Sequence, residues 1–197
     1  MKLKWTIGII ISLCIAIMSG EASAQGIAIK SNVPYLATAT PNLGLEVTLG
    51  PKWTLDLSGG YNPWTFSDNM KWKHWLVQPE ARYWLCEKMG GHFFGAHLIG
   101  GQYNIGNINT SVKMLGTDFS ALKEHRFEGW MAGAGIGYGY SWLLSRHLNL
   151  EAELGLGYVY SRYDRYQCVT CGSKEISDKS HNYVGPTKAA INLVYVF

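Results

Sequence analysis

Apolar and polar residues alternate along much of the chain with a period of two. Over 148–158, Leu, Ala and Tyr at every second position are separated by Asn, Glu and Gly. The segment 130–142 repeats the pattern with glycines on its second face. Such alternation puts two kinds of side chain on opposite faces of a strand. The pattern predicts eight strands, at 27–37, 43–49, 53–61, 73–85, 92–103, 127–142, 148–160 and 182–197.

The connections between these strands differ in length in a regular way. Those after the second, fourth and sixth strands are short, and those after the third, fifth and seventh are longer, although the first connection is also brief. Short turns at one rim and longer loops at the other are typical of outer-membrane proteins. The chain is therefore predicted to be all-β, an eight-stranded antiparallel up-and-down transmembrane β-barrel with both termini in the periplasm. The longer loops are 62–72, 104–126 and 161–181.

Three features predict that the apolar face points toward lipid. The polar face contains few lysines, and residues 191–197 end in an aromatic residue preceded by alternating apolar residues, as in outer-membrane barrels. Aromatic residues near the strand ends form the third feature, because aromatic belts lie at membrane interfaces. A soluble lipocalin-like barrel with an apolar interior is the alternative. The aromatic positions are Trp53, Trp142, Tyr195 and Phe197 at one rim, and Tyr61, Trp75, Trp130, Tyr158, Tyr160 and Tyr183 at the other.

The opposite face of the strands carries charged residues that are predicted to lie in the interior. Buried charges require partners, so a salt-bridge network that fills the lumen is the expected arrangement. A proton or ion path, or a pH-sensitive gate around His97, is the alternative. The predicted interior polar network is Lys30, Glu46, Asp56, Glu80, Arg82, His97, Glu151, Glu153 and Lys188.

The N-terminal residues have the pattern of an export signal. Lys2 and Lys4 precede an apolar run over 7–18, and small residues follow at 22–24. This order predicts a signal peptide over 1–24 and a single mature domain over 25–197. The net charge of +3 is too small to indicate nucleic-acid binding.

Candidates for site chemistry are few. Cys168 and Cys171 lie in the last long loop, where an oxidising compartment favours a local disulfide, although two free thiols remain open. No second cysteine pair or histidine pair completes a zinc pattern, and Cys86 is isolated in a turn. Ser180 and His181 follow Asp178, but neighbouring strand residues face opposite ways. No catalytic residues, metal or cofactor are therefore predicted.

Residues 75–86, 91–97 and 101–104 carry a resemblance to a known family. These segments are similar to a domain-of-unknown-function family of small bacterial outer-membrane barrels. The resemblance implies an eight-stranded barrel and no catalytic residues. Genes of that family often lie near fimbrial assembly genes, which implies a role in assembling the cell surface.

These observations together predict a non-enzymatic outer-membrane protein. Its extracellular loops would serve adhesion or envelope assembly, because loops on a rigid scaffold commonly carry function. The expected partners are outer-membrane lipid, the barrel-assembly machinery and a fimbrial or other surface protein. A lipid A-modifying enzyme, a narrow ion channel and a soluble ligand-binding barrel are the alternatives.

Overall fold

Eight antiparallel strands form one closed ring in the computed structural model, which describes residues 26–108, 113–114, 117–118, 120–123, 125–167 and 172–197. The ring strands are β1 (Ile27–Asn32), β2 (Asn42–Thr48), β3 (Trp53–Asn62), β4 (Lys71–Trp84), β5 (Gly91–Gly106), β8 (Arg126–Leu143), β9 (Leu148–Tyr166) and β10 (Lys174–Val196). Their order around the ring is β1-β10-β9-β8-β5-β4-β3-β2, with β2 returning to β1. No helix among the described residues is long and apolar enough to cross a membrane.

Short elements complete the described part of the chain. A five-residue helix, α1, covers Val33–Ala37, and two-residue strands β6 (Lys113–Met114) and β7 (Thr117–Asp118) form a small hairpin. Single 3₁₀ turns cover Ser67–Asn69 and Ser120–Lys123. The prediction of an all-β antiparallel fold with eight main strands is confirmed. The predicted signal peptide at 1–24 lies outside the described residues.

The first predicted strand, 27–37, is too long. It ends at Asn32, and α1 follows with Pro34 in its first turn. Proline is tolerated there because its fixed φ suits a helix and the first N–H groups have no partner within the helix. The side chain of Asn42 also bonds the N–H and the C=O of Asn32, at 2.6 and 3.0 Å, which ends the strand.

The last long loop, predicted over 161–181, is mostly strand. β9 continues to Tyr166 and β10 begins at Lys174, so the two strands form a longer hairpin than predicted. Charged pairs hold this end, including Lys174 Nζ to Asp164 Oδ2 at 2.6 Å. These strand residues are polar on both faces, so apolar alternation does not reveal them.

The ring has two distinct ends, and its wall is shorter on the side of β1 than elsewhere. The turn end carries the connections 49–52, 85–90 and 144–147, and the loop end lies opposite. β1 pairs with β10 only over Asn192–Val196, so among the described residues the earlier part of β10 pairs with β9 alone. Register shifts interrupt β10 near its beginning and again between Pro186 and Lys188.

Side chains on the two faces of the ring differ sharply. Ile136 and Leu154 point outward and are 73% and 59% exposed, whereas Glu151 and Glu153 are buried inside. Tyr183, predicted to belong to an outer aromatic belt, instead packs against the interior cluster of Leu76, Ile99 and Val159. The register shift at Pro186 explains this error, because an extra residue in a strand moves the following side chains to the other face.

Candidate functional site

The ring interior contains a compact cluster of charged side chains. The structure places all nine residues of the predicted interior network there, and each is buried. They come from several strands of the ring, so residues far apart in sequence meet in its middle. The cluster consists of Lys30, Glu46, Asp56, Glu80, Arg82, His97, Glu151, Glu153 and Lys188.

Arg82 is the centre of this cluster. Its Nε donates to Glu80 Oε1 at 2.5 Å, and its Nη1 donates to Glu46 Oε2 at 3.0 Å and to Glu151 Oε2 at 2.9 Å. Its Nη2 donates to Glu153 Oε2 at 2.7 Å. A guanidinium offers five N–H donors in a fixed plane, so a single arginine can join four carboxylates.

Two lysines complete the ion pairs on either side of Arg82. Lys30 Nζ bonds Glu46 and lies 3.5 Å from Glu151 Oε2. Lys188 Nζ lies 2.7 Å from Glu80 Oε2 and 3.2 Å from Glu153 Oε2. Asp56 lies 3.6 Å from Lys30 Nζ and 3.8 Å from Lys188 Nζ. Each lysine therefore forms ion pairs with three carboxylates, which offsets part of the cost of burying charge.

Neutral polar side chains that the sequence analysis did not single out surround the cluster. Thr54 Oγ1 donates to Glu46 Oε1 at 2.5 Å and accepts from Trp84 Nε1 at 2.9 Å. Asn192 Nδ2 donates to Glu151 Oε1 at 2.8 Å. Thr54, Trp84 and Asn192 each stand an even number of positions from a charged interior residue on the same strand. The alternation of the strand therefore places them on the interior face, and it could have identified them.

Apolar residues and a folded turn close the ring interior on both sides of the charges. Toward the loop end lie Leu76, Ile99 and Val159, with Tyr35 of α1 packed against them. At the turn end, Met89 packs against Ala28 and Val194. Met89 has a positive φ of 62°, and its carbonyl accepts from Ser141 Oγ at 3.1 Å and from Asn149 Nδ2 at 2.8 Å. Each charged side chain of the cluster is buried between these groups, and a cavity lined by Tyr35, Asn42 and Gln78 reaches Lys30, Asp56 and Lys188.

A cavity of about 690 Å³ opens at the loop end, beyond the apolar residues. Its lining combines aromatic rings with charged and amide groups, a mixture that suits the binding of a polar partner. Tyr103 Oη and Ser161 Oγ share a hydrogen bond of 2.5 Å across β5 and β9. The lining includes His74, Trp75, Tyr103, Trp130, Tyr163, Arg162, Asp164 and Asp178.

Ion pairs hold the β9–β10 hairpin beside this cavity. Hydrogen bonds from Lys174 Nζ and from the Asp178 N–H lower the pKa of the Asp164 carboxyl below its usual value. Because this pKa is lowered in the fold, the stabilisation is present above the ordinary aspartate pKa and is lost as the pH falls through the lowered value. Arg162 forms an ion pair with Asp178, so the carboxylate of Asp178 stabilises the hairpin.

The other candidate residues that the structure describes lie outside the charged cluster. Cys86 is exposed and free in the turn between β4 and β5. Cys168 and Cys171, the predicted disulfide, lie outside the described residues. Ser180 is exposed on β10, where it stands opposite Arg162.

A comparison with models of protein families identifies a family for the chain. A family model described as "Protein of unknown function (DUF3575)" matches residues 9–197. This confirms the resemblance to a domain family of unknown function, and the description says nothing of location or of fimbriae. No curated protein matches the chain, and no solved structure matches it.

Proposed function

The chain belongs to this family of unknown function, and because its description assigns no activity, we propose a role from the geometry of the ring itself. The protein is an outer-membrane barrel with a filled lumen. It is a non-enzymatic scaffold that presents its loop end to the cell exterior for adhesion or for assembly of the envelope or fimbriae.

The observation that carries this proposal is the apolar outer face. Large exposed apolar patches on a soluble monomer are rare, whereas a lipid-facing barrel requires an apolar band around its outside. The ladder is closed where β1 pairs with both β2 and β10, which supports the same environment, since backbone groups in lipid must be paired within the protein. Exposed outward residues of the band include Leu45, Leu55, Leu57, Leu98, Ile136, Leu154, Leu156, Val184, Ile191 and Leu193.

Aromatic residues stand at both borders of this band. Trp53, Trp142 and Tyr195 are exposed near the turn end, and Tyr61, Trp75, Trp130 and Tyr158 are exposed toward the loop end. Indole and phenol rings favour the membrane–water interface because they are apolar with one polar group. Their spacing supports a band that crosses the membrane between the two ends.

The interior argues against two of the alternatives. A soluble ligand-binding barrel needs an apolar cavity, but the middle of this ring is occupied by ion pairs centred on Arg82. A channel needs a continuous polar path, and apolar clusters around Leu76 and Met89 flank the charges. Binding at the loop end, where the cavity opens, is the function that remains best supported.

The location can be tested with a thiol reagent that does not cross membranes. In cells that produce the chain with Cys168→Ser and Cys171→Ser, we expect Lys179→Cys at the loop end to be labelled on intact cells. Cys86, exposed at the turn end, should react only after the outer membrane is permeabilised. Equal labelling of both positions on intact cells, or recovery of the protein without detergent, would reject the proposed location.

The surface role can be tested by complementation. A strain that lacks the gene should show reduced adhesion to a plastic surface or fewer fimbriae by electron microscopy, and the wild-type gene should restore the phenotype. The double change Tyr103→Ala and Tyr163→Ala in the cavity should not restore it, whereas Tyr83→Ala near the turn end should. If the cavity variant restores the phenotype fully while folded, binding at this cavity is not the function.

A further inference from the structure

Three buried side chains inside the ring have the composition of a metal site. Glu80, His97 and Glu153 come from β4, β5 and β9, and their ligand atoms all lie within 4.8 Å of one another. His97 Nδ1 is 3.6 Å from Glu80 Oε2, close to the separation of two ligands on one ion. Imidazole with carboxylates is a common ligand set for divalent first-row metals.

Two of these side chains have atoms without hydrogen-bond partners. Neither His97 Nδ1 nor Glu153 Oε1 has a partner among the described residues, although both side chains are more than nine-tenths buried. His97 Nε2 is 2.8 Å from Thr187 Oγ1. When Nε2 carries the proton and donates to Thr187, the lone pair of Nδ1 is free for an ion. Ligating histidines are usually oriented in this way through their second nitrogen.

Glycines on neighbouring strands make the space in which the three side chains lie. A Cβ at Gly95 would stand 2.7 Å from the Glu80 carboxylate, and one at Gly137 would stand 2.8 Å from Glu153 Oε1. A Cβ at Gly135 or at Gly155 would stand 2.7 Å from the His97 ring. Each of the three residues thus occupies a space that an alanine on the adjacent strand would fill.

The charge of the cluster also favours an additional cation. Five buried carboxylates face three cationic side chains, so two negative charges remain when all are ionised and His97 is neutral. Uncompensated charge is very costly in a buried site. One divalent ion balances the cluster. Arg82 already bonds Glu80 Oε1 and Glu153 Oε2, and Lys188 bonds Glu80 Oε2, so Glu153 Oε1 is the carboxylate oxygen of these two residues that is left for an ion.

We propose that Glu80, His97 and Glu153 bind one divalent transition-metal ion inside the ring. His97 Nδ1 and Glu153 Oε1 supply its free ligand atoms, and Glu80 Oε2 is shared with Lys188. Metal–ligand distances of about 2.0–2.2 Å require the three groups to close slightly around the ion. The ion has a structural role, joining β4, β5 and β9 across the charged cluster.

The test uses the purified full-length mature chain without a histidine tag, stripped with EDTA and then titrated with Zn²⁺. Calorimetry and elemental analysis should show one zinc per chain, and zinc should raise the Tm of the folded protein. Mg²⁺ should bind much more weakly, because it prefers a shell of oxygen ligands and water. If the folded wild-type protein binds no zinc above the buffer level, the proposal is overturned. The negative charge of the buried cluster would then be balanced by protons.

Variants locate the bound ion. His97→Gln and Glu153→Gln should each weaken zinc binding by at least about 100-fold, and Thr187→Val, which affects only a positioning residue, by about 10–100-fold. His92→Gln is the matched control, since His92 is exposed on the outer face beside Tyr138. Folding of each variant is checked by the heat-dependent shift of the barrel on a gel. Zinc binding that is unchanged in folded Glu153→Gln also overturns the proposal.

Discussion

Replacing Arg82 by methionine is expected to lower the free energy of unfolding by about 3–5 kcal/mol, the usual cost of removing one partner from a buried ion network. Arg82 is fully buried and donates to Glu46, Glu80, Glu151 and Glu153. Methionine has a similar length but leaves these carboxylates facing one another without their shared cation. The measurement is reversible urea unfolding in lipid vesicles, followed by tryptophan fluorescence.

Arg146→Met is the matched control for this change. Arg146 is exposed in the turn between β8 and β9, so its replacement should alter stability by no more than about 0.5 kcal/mol. If Arg82→Met fails to fold, Arg82→Lys provides the second measurement, because lysine keeps the charge but loses the planar set of donors. Wild-type stability in both Arg82 variants would mean that the network does not hold the ring together.

Replacing Ile136 by lysine should destabilise the protein by about 2–4 kcal/mol in a bilayer, the cost of a lysine at the midplane of a lipid-facing barrel wall. Ile136 lies in the middle of β8, faces outward and is 73% exposed. In water the same change on an exposed strand position would alter stability by only a few tenths of a kcal/mol, so the size of the effect reports the environment.

Leu144→Lys is the control for depth. Leu144 is also exposed, but it lies in a turn-end connection, where a lysine reaches water and should cost about 0–1 kcal/mol. The comparison uses unfolding in vesicles of a single lipid for both variants. Equal, small changes in the free energy of unfolding at Ile136 and Leu144 would contradict the proposed membrane band. This conclusion does not depend on how stable the charged interior is.

Alternation alone was sufficient to predict most of the fold and the interior cluster. A strand with a period of two places Glu80 and Arg82, or Glu151 and Glu153, on one face, so the sequence pattern by itself assigns both members of each pair to the interior. Ring closure then brings these faces together. The contacts themselves could not be predicted, because the register between strands distant in sequence decides which carboxylate meets Arg82.

The errors have local physical causes. The sequence alternates past Asn32 although α1 begins at Val33, with Pro34 in its first turn. Tyr183 was placed outside because the register shift near Pro186 changes the phase of β10. Thr187 was missed for the same reason. Gly135 and Gly155 provide the space for the His97 ring. This role could not be predicted from the sequence, because it depends on which residues of the neighbouring strands lie beside His97.

The side of β10 that pairs with no other described strand affects how copies of the protein meet. A free strand edge is a template for self-association, yet this one is interrupted by two register shifts near Ile176 and a third at Pro186, which has no N–H to donate. Lys179, exposed on the same stretch of β10, adds repulsion between approaching copies. A neighbouring molecule therefore meets no continuous row of donors and acceptors on this side of the ring, which disfavours edge-to-edge pairing of two copies.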